Sequence, residues 1–171
     1  MHFGQFPIKF LDIAPIWCFQ IFCRQFKNVE YVSVDIRSPL SDHKMDIQSL
    51  QFDDESFDAA LCYHVLEHVP DDRKAIKEIF RVLKRGGWAL IQVPVEAPAT
   101  KELAEMSPYE IKHVLKWDDH LRSYGPDFFD RLEEAGFEWS ESDFVTTLPR
   151  EDVERFGLDL KERITICRKP G

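Results

Sequence analysis

The sequence predicts an α/β sandwich built on a parallel sheet, and three observations carry that prediction. First, residues 46–94 read as strand, loop, helix and strand in succession. Phe57–Cys62 (F-D-A-A-L-C) is an apolar run of strand length. A helix follows from about Asp71 to Lys84, with Ile76, Ile79, Phe80 and Leu83 on one stripe at i, i+3, i+4 and i+7. Gly86-Gly87 ends it, and Trp88–Val93 is a second apolar strand. A helical crossover of this length joins parallel strands. Second, strands and helices alternate along the whole chain, the pattern of a sheet covered by helices. Third, polar residues stand at strand C-terminal ends, Asp35 after one and His64 after another, where such sheets bind ligands.

Taken in order, Lys9–Ala14 is the first strand, ended by Pro15. Ile16–Phe26 is a helix with Ile16, Phe19, Cys23 and Phe26 at helical spacing, and Trp17 and Phe22 widen its apolar face. So broad a face predicts burial on much of its circumference. Tyr31–Asp35 is the second strand and Met45–Ile47 a short third. Asp71 or Asp72 is the N-cap of the central helix and Gly86 its left-handed stop. Ser107-Pro108-Tyr109-Glu110 is a capping box opening a helix to about Trp117. Asp118–Tyr124 reads as a loop, and Pro126–Ala135 as a helix stopped by Gly136. Phe137–Phe144 and Arg163–Arg168 are the last strands, with a short helix over Glu151–Phe156 between them.

At 171 residues the chain suits a single domain, taken here as 1–171. No apolar run reaches the length of a bilayer span, and no signal peptide is visible, so the expected compartment is cytoplasmic, away from membranes. The formal net charge of -9 argues against broad electrostatic binding to nucleic acid. Cys18, Cys23, Cys62 and Cys167 form no C-x-x-C pair and read as reduced thiols.

Three motifs, D-I-Q-S-L-Q-F-D-D-E-S-F-D, H-V-L-E-H-V-P-D-D and E-I-F-R-V-L-K-R-G-G-W, together resemble the class I S-adenosylmethionine-dependent methyltransferases, chiefly the small-molecule-type domains. The resemblance covers the chain from about Phe10 to the end, with Arg85 where the family usually has proline. It implies a Rossmann-like three-layer sandwich, its mostly parallel seven-stranded sheet in the order 3-2-1-4-5-7-6 with strand 7 antiparallel. It implies S-adenosyl-L-methionine as cofactor. Asp35 and Ile36 would meet the ribose, Asp46 and Ile47 the adenine, and Cys62, Tyr63 and His64 the methionine end. Asp12, Ala14 and Pro15 would form the first loop, as in a subgroup carrying an alanine-proline pair there. Relatives usually carry covering helices before strand 1, so this N-terminal cover is expected to be truncated, and the apolar surface so exposed predicts a homodimer.

His64 and His120 are the candidate bases. His120 lies in D-D-H-L-R-S-Y-G, where Arg122 and Tyr124 are candidates for holding a polar acceptor. The absence of N-P-P-Y and of a proline-cysteine pair, with the acidic charge, points to a small-molecule acceptor and no nucleic acid. Two other readings compete. The first loop, Asp12-Ile13-Ala14-Pro15-Ile16-Trp17, lacks the family's glycines, which suits a non-catalytic binding module of the same fold. His64–His68 fits the zinc pattern H-x-x-E-H, but that needs a helix, and Pro70 leaves barely one turn. No metal is expected.

Overall fold

The computed structural model describes residues 7–114 and 119–171. In chain order its elements are β1 (Ile8–Ile13), α1 (Trp17–Cys23), β2 (Val29–Asp35), β3 (His43–Lys44), β4 (Phe57–Tyr63), α2 (Asp72–Val82) and β5 (Leu83–Gln92). There follow β6 (Lys101–Glu102), α3 (Pro108–Val114), β7 (Arg122–Ser123), α4 (Phe128–Ala135), β8 (Glu138–Ser142), α5 (Arg150–Phe156) and β9 (Ile164–Arg168). The main sheet has seven strands in the order β3-β2-β1-β4-β5-β9-β8. Counting only these strands, that is 3-2-1-4-5-7-6, the expected order. β1 to β5 pair in parallel, and β9 runs antiparallel to both β5 and β8.

Helices cover both faces. On one, α2 and α4 bury Ile76, Ile79, Phe128 and Leu132 against Leu11, Phe57 and Ile91 of the sheet. On the other, Cys23 of α1 packs with Phe10, Tyr31 and Ala59. The parallel core places the C-terminal ends of β1, β2 and β4 on one edge, which is where the candidate site forms.

Four expectations change. The first helix is shorter than predicted, and only Gln20 and Cys23 in it are buried. Ile16 is 61% and Trp17 64% exposed, because the sheet offers α1 only the small Phe10–Tyr31 patch to pack on. β3 forms at His43–Lys44, while Ile47–Ser49 is a 3-10 turn capped by Asp46. α2 stops at Val82, because Leu83 turns extended to pair with Phe57. Gly86 therefore sits inside β5 and not at a helix end, at φ 74° beside an irregularity in the β4–β5 pairing. Gly87 is required there by space: a Cβ would stand 2.8 Å from the Lys84 carbonyl oxygen and 3.0 Å from that of Asp58. The predicted stop of α4 holds, with Gly136 left-handed at φ 102°. Trp117 and Asp118 lie outside the described residues.

Candidate functional site

A cavity of about 800 Å³ opens over the C-terminal ends of β1, β2 and β4. That volume is in the range of small-molecule sites, about 300–1,000 Å³. Ile13 and Ala14 form its β1 side, and Val34, Asp35 and Ile36 its β2 side. Met45 to Gln48 close one end. His64 and Val65 lie at the end of β4, with His68 to Pro70, Asp119 and Leu121 opposite.

Local geometry fits this edge for a ligand. Ala14 has φ 54° while its N–H donates to the Val34 carbonyl at 2.8 Å, so the first loop takes a turn that glycine usually supplies. An alanine there costs about 1–2 kcal/mol but keeps the backbone nearly as bare. The Asp35 Oδ1 accepts the N–H groups of Arg37 at 2.6 Å and Ser38 at 2.7 Å, which fixes the carboxylate against the cavity wall. Asp46 accepts from the Gln48 N–H and side-chain amide, which orients it at the closed end. His64 is also left-handed, at φ 55°, a strained conformation for a side-chain-bearing residue at a cavity mouth.

Not every predicted residue reaches the cavity. Asp12 turns away from it. Buried at 2% exposure, it accepts the Tyr31 hydroxyl at 2.5 Å on the α1 side of the sheet, because strand alternation sends residues 11 and 13 to the other face. Burial raises its pKa from 3.8 to about 6, against the smaller lowering effect of the Tyr31 hydrogen bond. Pro15 lies outside the lining, as does Cys62, which is fully buried between the sheet and α2. Burial pushes the Cys62 thiol well up, so it is no nucleophile. Tyr63 lies outside the lining too, half-exposed with its ring edge-on to that of His64. Trp17 also stands clear of the cavity.

Three histidines gather round one acid. Glu67 is 1% exposed and its Oε1 lies 3.1 Å from the His64 Nδ1. Its Oε2 is buried with no hydrogen-bond partner among the described residues. Glu67, His68 and His120 each offer a ligand atom, and these atoms lie within 4.8 Å of one another. His68 is held through its Nδ1 by the Asp119 carbonyl and carboxylate at 3.2 and 3.3 Å. His120 stands behind that cavity wall, its ring 4.8 Å from that of His68. Partial burial, then the His68 charge, lower its pKa and favour the neutral imidazole.

Arg122 and Tyr124 belong to the scaffold, and not to an acceptor site as the sequence suggested. Arg122 is 3% exposed and donates to the Leu66, Val69 and Pro70 carbonyls at 2.7, 2.6 and 2.9 Å, and to Glu102. Tyr124 is fully buried and donates to Asp72 at 2.6 Å, alongside Arg131. This network clamps the loop carrying Glu67 and His68. With the Leu121 N–H donating to the Glu67 carbonyl at 2.8 Å, it sets His120 beside them. Neither the proximity of residues 67 and 120 nor the scaffold role of Arg122, which stands between Leu121 and Ser123, had a signal in the sequence.

A sheet of this order, with an acid closing β2 and a cavity over β1, β2 and β4, defines a class of protein. Residues 20–91 also match the family described as a methyltransferase domain. The chain carries a class I S-adenosylmethionine-dependent methyltransferase domain, a class whose cofactor is S-adenosylmethionine. It is 30% identical over 116 residues to the uncharacterized methyltransferase YcgJ of Bacillus subtilis, covering 67% of this chain and 40% of that protein. It is 32% identical over 115 residues to the tRNA (carboxymethyluridine(34)-5-O)-methyltransferase of Arabidopsis thaliana, covering 64% and 27%. The chain thus spans well under half the length of these relatives. The solved structure of a Bacillus halodurans protein assigned as a methyltransferase superposes with a TM-score of 0.65 at 23% identity, covering 98% of this chain and 94% of that one. Among the described residues no helix is long and apolar enough to cross a membrane.

Proposed function

We propose that the protein transfers a methyl group from S-adenosylmethionine to a small-molecule acceptor, and that the cavity over β1, β2 and β4 holds both. The observation that carries this reading is the pairing of Ala14, left-handed where the backbone must lie close to a ligand, with the fixed carboxylate of Asp35 across the cavity. Asp35 would accept the ribose hydroxyls. Ile36 would lie beside it at the ribose, and Asp46 and Ile47 would flank the adenine, with Met45 and Val34 as apolar walls. The bound cofactor supplies an electrophilic methyl group on a sulfonium. Among the chain's own residues, His64 would take a proton from the acceptor. Its Nδ1 faces the Glu67 carboxylate, which fixes the tautomer with Nε2 as the basic nitrogen.

Exposure of Trp17 and its position outside the cavity support this reading over a non-catalytic module, since the glycine-free loop leaves the cavity clear. The acidic net charge supports a small acceptor over a nucleic acid. Calorimetric titration with S-adenosylhomocysteine tests the proposal. Binding is expected at micromolar concentrations, weakened about tenfold or more by Asp35→Ala through lost charge-assisted hydrogen bonds. No heat at millimolar ligand would refute it. Transfer of labelled methyl into tRNA in place of small molecules would overturn the acceptor class alone.

A further inference from the structure

We propose that Glu67, His68 and His120 form a binding site for one divalent transition-metal ion at the wall of the cavity. The buried carboxylate is the first reason. Glu67 is 1% exposed, yet its Oε2 has no hydrogen-bond partner among the described residues. An ionised oxygen buried unpaired costs several kcal/mol, and a cation beside it removes that cost. The ligand atoms of Glu67, His68 and His120 all lie within 4.8 Å of one another. About a tetrahedral ion with bonds near 2.1 Å, ligand atoms stand about 3.4 Å apart. The two imidazoles must therefore close inward, and neither is locked in the core: His68 is exposed and His120 half-buried.

The surroundings fit a metal site in three further respects. His68 gives its Nδ1 to the Asp119 carbonyl and carboxylate, which leaves Nε2 as the ligating nitrogen and supplies the outer partner that metal-bound histidines carry. His120 is half-buried behind the cavity wall with its ring 4.8 Å from that of His68, so its imidazole stands within reach of the same ion. His64 occupies the other oxygen of Glu67, which aligns the carboxylate without filling the site. One carboxylate and two imidazoles suit zinc, cobalt, nickel or ferrous iron more than magnesium or calcium. Three protein ligands also leave a position open. The cluster shares His68 with the cavity lining, so that position would hold a water or an acceptor oxygen, lowering its pKa where a methyl group is to be added. This last consequence rests on the methyltransferase reading. Metal binding itself does not.

The ligand set is not the helical His-x-x-x-His pair that H-x-x-E-H suggests. His64 and His68 do not both ligate; His120, 52 positions after His68, replaces the first histidine.

Equilibrium dialysis of the chelator-stripped chain against zinc, with visible absorption of the cobalt-loaded form, tests the site. About one equivalent per chain is expected, with cobalt d–d bands of low coordination. His68→Ala and His120→Ala should each weaken binding about tenfold or more, while His113→Ala, on the exposed side of α3, leaves it unchanged. Should His120→Ala fail to fold by circular dichroism, His68→Ala carries the test, since that side chain lies at the surface. Retention of well under one equivalent by the unmodified chain, or unchanged affinity in both variants, would overturn the proposal. Titration with S-adenosylhomocysteine in parallel reads the cofactor site separately, so loss of one result leaves the other standing.

Discussion

Replacing Asp12 with asparagine should stabilise the protein at neutral pH and not at acid pH. In the fold Asp12 is 2% exposed, and its pKa rises from 3.8 to about 6, first because burial disfavours the carboxylate. The groups facing it are the Tyr31 hydroxyl, which donates to it, and Cys23 of α1, whose thiol is pushed up to about 11 by burial first and then by the Asp12 charge. A raised acid pKa means that the folded state holds its proton more tightly than the unfolded state. Stability from this group is therefore full below pH 3.8 and is lost as pH climbs to about 6. A shift of about two units corresponds to about 3 kcal/mol. About 2 kcal/mol of it falls between pH 4.5 and 7.5. The asparagine side chain would stay neutral throughout and keep an acceptor for the Tyr31 hydroxyl. Urea unfolding of both proteins at pH 4.5 and 7.5 measures this. The stability of Asp12→Asn relative to the unmodified chain should rise by about 2 kcal/mol between the two. A difference constant to within about 0.5 kcal/mol would refute the idea that Asp12 is buried and charged at neutral pH.

Ala14→Gly should raise stability by about 0.5–1 kcal/mol, since φ 54° costs alanine more than the extra freedom of unfolded glycine. S-adenosylhomocysteine affinity measured by calorimetry should not change, and a loss would show that the alanine methyl contacts the ligand. Tyr124→Phe removes the 2.6 Å hydrogen bond to buried Asp72 and should cost about 1–3 kcal/mol in urea melts; a neutral result would mean that Arg131 alone satisfies Asp72. Gly87→Ala drives a Cβ against two backbone carbonyls and should cost about 1–3 kcal/mol, read as a lower Tm.

The parallel sheet was legible because its strands announce themselves. Phe57–Cys62 and Trp88–Val93 are apolar runs around a helix with one clear stripe, and these spacings admit little but a crossover. Asp35 was legible as a strand-end acid. What stayed hidden depended on tertiary partners. Nothing local distinguishes the end of α2 at Val82 from one at Lys84, since Leu83 becomes strand only by pairing with Phe57. The apolar letters of α1 read as buried, but burial also requires a surface to pack on, and β1 and β2 provide only a small one. Asp12 and Ala14 are two residues apart in one motif. Strand alternation put one beneath the sheet, and the turn put the other at the cavity. His120 and Arg122 were read as one polar loop, yet the first joins the histidine cluster and the second is sealed in the scaffold.

The reach of Arg122 also sets an order of assembly. Its guanidinium satisfies the carbonyls of Leu66, Val69 and Pro70, more than 50 residues earlier in the chain. A ribosome that has released the chain as far as Gln92 has delivered β1 to β5, hence five of the seven sheet strands. The loop of Glu67 and His68 would at that moment lack the donors that hold it. The nascent sheet would thus precede its own binding edge, and ligand capture would wait for the antiparallel pair of β6 and β7 to emerge and dock.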